Sequence, residues 1–146
     1  MEGPEAARSY ASWFETPLGR RVWADERREL RRLLRPAAKR RVLDAGAGDG
    51  RLAVELAAQG ARVTALDLSA SMLGLARQRA RRADAPLETV QGDIETLPFP
   101  PATFHQVVVV TVLCFVPDAR KALMELARVL KPGGSLVVGE LGRWSL

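Results

Sequence analysis

The segment Val42-Leu-Asp-Ala-Gly-Ala-Gly-Asp-Gly50 constrains the fold more than any other part of the chain. An apolar run long enough for one short strand ends in glycines at the alternate positions 46, 48 and 50. Glycine enters left-handed backbone conformations at little cost, and it lets the main chain approach a ligand that a Cβ would exclude. Such a turn after a buried strand fits an open α/β sheet, whose ligands bind beyond the carboxyl ends of the strands.

The remaining pattern supports that architecture. Arg41 to Asp44 reads as a strand, and a helix follows from about Asp49 to Gln59, stopped by Gly60. Ala61 to Asp67 reads as a second strand, after which Ser69 caps a helix towards Ala83. Leu87 to Gln91 is a third strand. A loop with Pro98, Pro100 and Pro101 leads to a fourth, Gln106 to Val112, whose unbroken valines imply burial on both faces. Pro117-Asp118 opens a helix lasting to about Leu130, and Pro132-Gly133-Gly134 turns the chain into a last strand, Ser135 to Glu140. Alternating strands and helices predict a doubly wound α/β sheet of five strands, mostly or wholly parallel, with helices on both faces.

Two regions follow. Residues 1–38 are expected to form an N-terminal helical segment covering the ligand side of the domain: Leu18, Val22, Leu30, Leu33 and Leu34 recur at helical spacing, and Pro36 ends the run. Tyr10, Trp13 and Phe14 make an aromatic cluster expected at the open edge of the domain, as core-capping groups or as pocket lining. Residues 39–146 form the ligand-binding domain.

Charge and cysteine content narrow the class. The net charge is +5, concentrated in two arginine clusters, Arg27, Arg28, Arg31, Arg32 and Arg35, then Arg77, Arg79, Arg81 and Arg82. A basic face attracts phosphates. Aromatic residues for base stacking are absent from both clusters, so solvated helix faces are expected and a nucleic-acid partner is not. The single cysteine, Cys114, excludes an internal disulfide and a cysteine-rich zinc site, and its apolar neighbours predict a small buried side chain. No stretch has the length of an apolar membrane span, and residues 1–10 lack the apolar core of a secretory signal. A cytoplasmic protein is expected.

The chemistry gathers at strand tips. Asp44 closes the first strand beside the glycine turn, and Asp67 closes the second, where an acid can hold both hydroxyls of a ribose. After the third strand, Asp93 next to Ile94 suits the exocyclic amine and ring face of an adenine. Each feature alone has a plain reading as a turn or a helix cap; three at successive strand ends point to one ligand. A dinucleotide is the competing occupant. Its usual G-x-G-x-x-G is here G-x-G-x-G, with Arg51 in place of the third glycine. Asp44 and Asp49 put negative charge beside the turn, which would repel a pyrophosphate and favour a cationic ligand.

On Val42 to Gly50, Val63 to Leu73, Gly92 to Phe99 and Ala127 to Gly134, the chain resembles the class I S-adenosylmethionine-dependent methyltransferases. The likeness runs over roughly residues 40 to 141 and is nearest to the small-molecule branch related to the ubiquinone and menaquinone biosynthesis methyltransferases. It implies a Rossmann-like fold and S-adenosylmethionine as cofactor. By position, Asp44, Gly46, Ala47 and Gly48 would surround the methionine portion, and Asp67 would bind the ribose, with Leu68 and Met72 beside the adenosine. Asp93 and Ile94 would contact the adenine, and Thr111 to Leu113 would border the methyl group. Lys131 to Gly134 would serve the turn into the last strand.

The chain departs from the family pattern in three places. Ala47 and Asp49 replace frequent Cys and Thr. Phe104-His105 replaces a common Phe-Asp, but His105 precedes its strand and so lies at the far end of the sheet from the chemistry. The chain also stops at Trp144-Ser145-Leu146, where family members add two strands and a helix. This predicts either a fragment or a partner, such as a second copy, covering the exposed sheet edge. Methyl transfer from a sulfonium is an in-line displacement that depends mainly on positioning, so no metal and no dedicated nucleophile are expected. The resemblance implies a methyl-transfer enzyme with a small-molecule acceptor. A cofactor-binding module without turnover, or an RNA or protein methyltransferase, are the alternatives.

Overall fold

The computed structural model describes residues 3–140. Two helices, α1 (Pro4–Trp13) and α2 (Pro17–Leu33), precede an alternation of β1 (Arg41–Ala45), α3 (Arg51–Ala58), β2 (Arg62–Asp67), α4 (Ala70–Arg82), β3 (Leu87–Gln91), β4 (Phe104–Val110), α5 (Ala119–Val129) and β5 (Leu130–Gly139). The five strands form one sheet in the order β3-β2-β1-β4-β5, every pair parallel. The order reverses between β1 and β4, so the crevice of the expected fold opens beside the end of β1.

Local chemistry sets the helix starts. The Thr16 hydroxyl accepts the Gly19 N–H at 3.0 Å ahead of Pro17 at the first helical position. The Ser69 hydroxyl accepts the Met72 N–H, and Asp118 accepts the Lys121 N–H at 3.0 Å. The sheet divides the core in two. Val42, Val63, Ala65, Val108 and Val137 pack with Leu30, Leu52, Leu56 and Ala80 from α2, α3 and α4. Leu43, Leu66, Val107 and Val109 point the other way, against Ala122, Leu126 and Val129 of α5. Successive side chains of a strand face opposite sides, so a strand covered on both faces is apolar throughout, as Val107, Val108 and Val109 are. All three are fully buried.

Several boundaries differ from the sequence reading. The fourth strand runs Phe104–Val110 and stops before Val112, because Thr111 takes a left-handed φ of 53° and leaves the ladder. A short 3₁₀ turn, Leu113–Phe115, follows. The last strand begins at Leu130: Phe104 pairs with Leu130 and Gln106 with Ser135, so Lys131 to Gly134 bulge within the strand. Cys114, expected to be buried, is exposed on the 3₁₀ turn. The arginines are less idle than solvated faces would be. Arg27 and Arg31 both reach Glu55, at 2.7 and 2.8 Å, tying α2 to α3. Arg28 and Arg32 pair within their own helix with Asp25 and Glu29. Among the described residues no helix is long and apolar enough to cross a membrane. The expected chain end at Trp144-Ser145-Leu146 lies outside the described residues.

Candidate functional site

Past Ala45 the chain turns through Gly46, Gly48 and Gly50, all with positive φ (79°, 55° and 76°). The turn is tied to the end of β2, since the Gly46 and Ala47 N–H groups both donate to the Leu66 carbonyl, at 2.7 and 2.9 Å. Two of the glycines are fixed by neighbours. A Cβ on Gly46 would fall on the Val112 side chain, and one on Gly50 would lie 2.6 Å from the Ala76 Cβ of α4. The bare backbone therefore admits Val112 on one side and α4 on the other.

Asp67, half-buried at the tip of β2, faces this loop. Its Oδ2 accepts the Gly48 N–H at 2.8 Å, and its Oδ1 accepts the Ser69 N–H at 2.8 Å. A carboxylate offers about four acceptor sites, so it retains capacity for a ligand. Asp44 is buried in β1, and its Oδ2 finds no partner among the described residues. Burial, then the Asp67 charge, push its carboxyl up to about 7, with Asp49 adding and the Ala53 amide opposing. Asp49 is also buried, yet it does not supply the free negative charge expected beside the turn. Arg51 binds it at 2.6 Å and Arg79 at 2.9 Å, so its charge is neutralised by two guanidiniums. The loop's available negative charge is that of Asp67 and, above about pH 7, of Asp44.

The remaining predicted residues divide. Leu68 is 70% exposed beside Asp67, whereas Met72 is buried in the first turn of α4. Asp93 is exposed at the tip of β3, with its Oδ1 accepting the Glu95 N–H at 2.8 Å. Ile94 packs into the α5-side core with Leu66 and Leu97. Thr111 donates its N–H to the Gly139 carbonyl at 2.7 Å as the chain leaves β4. Asp44, Gly46, Ala47, Gly48 and Asp67 thus gather at one loop, while Met72 and Ile94 are buried side chains. His105 lies at the opposite end of the sheet, where its Nδ1 accepts the Arg41 N–H at 3.0 Å.

Two of the aromatic residues expected at the open edge, Tyr10 and Phe14, lie beside the loop. Tyr10 of α1 approaches Gly48, its Cε1 4.0 Å from the point a Cβ there would occupy. The Arg51 guanidinium lies 4.0 Å over the Phe14 ring and 5.7 Å from the Trp23 ring, joining the N-terminal helices to the start of α3. Burial, then the nearby Asp49 and Glu26 carboxylates, raise the Tyr10 hydroxyl above its usual value. Burial likewise raises Glu26, with Arg51 opposing. Sequence did not foresee that Arg51, standing where a dinucleotide loop has glycine, would join the N-terminal helices to α3. Also unforeseen was Glu140, whose Oε1 accepts the Val112 and Leu113 N–H groups at 3.2 and 2.9 Å.

The family model of a methyltransferase domain matches residues 43–138. The demethylmenaquinone methyltransferase of Clavibacter sepedonicus is 43% identical over 109 residues, covering 75% of this chain and 44% of that protein. The demethylmenaquinone methyltransferase of Thermus thermophilus is 40% identical over 105 residues, covering 70% and 48%. The chain spans about half the length of the curated relatives it matches. Among solved structures, a SAM-dependent methyltransferase from Thermotoga maritima superposes with a TM-score of 0.77 at 30% identity, covering 92% of this chain and 58% of that one.

Proposed function

This chain belongs to the methyltransferase domain family, and from that membership we propose that it binds S-adenosylmethionine and transfers the methyl group to a small-molecule acceptor. The observation that carries the reading is the Asp67 carboxylate bonded to the Gly48 N–H. This bond holds a carboxylate suited to ribose hydroxyls beside the glycine loop.

The residues fit the cofactor. Asp67 has unused acceptor sites for two ribose hydroxyls. Asp44 holds a buried oxygen without a partner, placed for a cationic amino or sulfonium group, and such a ligand favours its ionised form. The second oxygen of Asp93 and the exposed Leu68 suit the amine and the ring of an adenine, and Thr111 to Leu113 border the methyl end. The cofactor supplies a methyl on a sulfonium, with its leaving group built in. The protein's task is then to orient and to exclude water, and Tyr10 over Gly48 covers the loop from the N-terminal side.

A small-molecule acceptor is supported by the relatives named demethylmenaquinone methyltransferases. The internal pairing of Arg27, Arg31 and Arg79 weakens the case for a phosphate-binding face. A second copy of the chain paired along β5, the edge strand of the described sheet, would be seen by light scattering on the purified chain. Isothermal titration tests the cofactor reading. S-Adenosylhomocysteine should bind the parent chain, and Asp67→Ala should bind it about tenfold to a hundredfold more weakly. A folded parent that gives no binding heat over a range of temperatures refutes the proposal.

A further inference from the structure

The β4–β5 register pairs Val110 with Gly139, so Thr111 and Glu140 leave the sheet side by side. Three consecutive amides of the departing chain then converge on the tip of β5. The Thr111 N–H donates to the Gly139 carbonyl at 2.7 Å, and those of Val112 and Leu113 donate to Glu140 Oε1 at 3.2 and 2.9 Å. Thr111 has a φ of 53° and Val112 a φ of −120°, a turn in which successive N–H groups form a concavity for an anion. Glu140 fills that concavity from within the chain.

The consequence reaches the glycine loop. Val112, held by this clasp, lies on Gly46 so closely that a Cβ there would collide with its methyl groups. A contiguous path therefore runs from the Glu140 carboxylate through the Val112 amide and side chain to the loop after β1. Without the clasp the Val112 and Leu113 amides lose their acceptor, and the turn keeps the Thr111 bond to Gly139 and the 3₁₀ bond from Phe115 to Val112, with Thr111 in a backbone conformation that non-glycine residues adopt at a cost.

We propose that Glu140 is a positioning residue, whose carboxylate fixes the turn after β4 and through Val112 holds the glycine loop in its ligand-binding shape. The proposal rests on the cofactor reading above. It assigns Glu140 no contact with the ligand, so an uncharged side chain with the same acceptor oxygen should serve.

The test uses the 146-residue chain, Glu140→Ala and Glu140→Gln, with two readouts taken well below the unfolding midpoint. One is hydrogen exchange of the Val112 and Leu113 amides by NMR, and the other is S-adenosylhomocysteine affinity by titration calorimetry. Glu140→Ala should speed exchange at both amides and weaken binding, each by about tenfold, and Glu140→Gln should keep both within about threefold of the parent. Unchanged exchange in Glu140→Ala, or faster exchange with unchanged affinity, overturns the proposal. Equal loss of affinity in the Gln and Ala variants also overturns it, because the charge would then act on the ligand directly. A parent chain that binds no S-adenosylhomocysteine sinks the cofactor reading itself, a result distinct from a parent that binds and an Ala variant that binds equally well.

Discussion

Asp44 should make this protein lose stability as the solution passes from mildly acidic to mildly basic. Its carboxyl ordinarily titrates at 3.8, and burial with the neighbouring Asp67 charge pushes it up to about 7 in the folded chain. Between these values the folded state keeps a proton that the unfolded state has released. The resulting stabilisation is complete below the unfolded value, shrinks as pH rises, and is gone above about 7. One pKa unit corresponds to about 1.4 kcal/mol, so this group alone should make the protein about 2.5 kcal/mol more stable at pH 5 than at pH 8. Other groups titrate in the same window, and Asp44→Asn isolates the effect by keeping the shape without the ionisation. Urea unfolding of both proteins at pH 5, 6, 7 and 8 gives the two profiles. Their difference should change by roughly 2 to 3 kcal/mol over that range, with the parent losing stability relative to the variant. Parallel profiles would show that Asp44 is not held protonated, and the account of its buried, unpartnered oxygen would fail.

Three further outcomes follow from the same geometry. Gly46→Ala adds a Cβ against Val112 at a φ of 79°, so thermal unfolding should show a loss of about 1–3 kcal/mol, with cofactor affinity reduced in calorimetry. Arg79→Met leaves the buried Asp49 carboxylate with Arg51 alone and should destabilise by about 1–3 kcal/mol in urea titration; a neutral result would mean that the second guanidinium is dispensable. His105→Ala removes the acceptor for the Arg41 N–H at the far end of the sheet. It should cost about 1 kcal/mol of stability and leave S-adenosylhomocysteine affinity at the parent value by titration.

The strand tips and the glycine loop were legible in the sequence because they follow from local rules. An apolar run bounded by glycine or proline is short and strand-like, Ser69 and Asp118 announce helix starts, and an acid at the end of a strand has to lie at the edge of the sheet. Boundaries failed where a distant partner intervenes. Valine propensity would carry β4 through Val112, but the chain turns at Thr111, where the next amides bond to Glu140. Cys114 read as buried from its apolar neighbours, while the 3₁₀ turn places it outside.

Sequence by itself determined a parallel α/β sheet, a bare backbone loop after the first strand, and acids at the tips of β1, β2 and β3. Only the tertiary structure decided which acids around the loop carry a usable charge. Asp49, in the loop beside them, is paired with Arg51 and with Arg79, thirty residues away, Asp44 is pushed towards neutrality by burial and by Asp67, and Asp67 is held by the loop it serves. Only the fold set Tyr10 over Gly48 and Glu140 beneath the turn after β4. The physical reason is common to all of them. Backbone conformation follows from neighbours along the chain, whereas desolvation and charge depend on groups that meet only when the chain closes on itself.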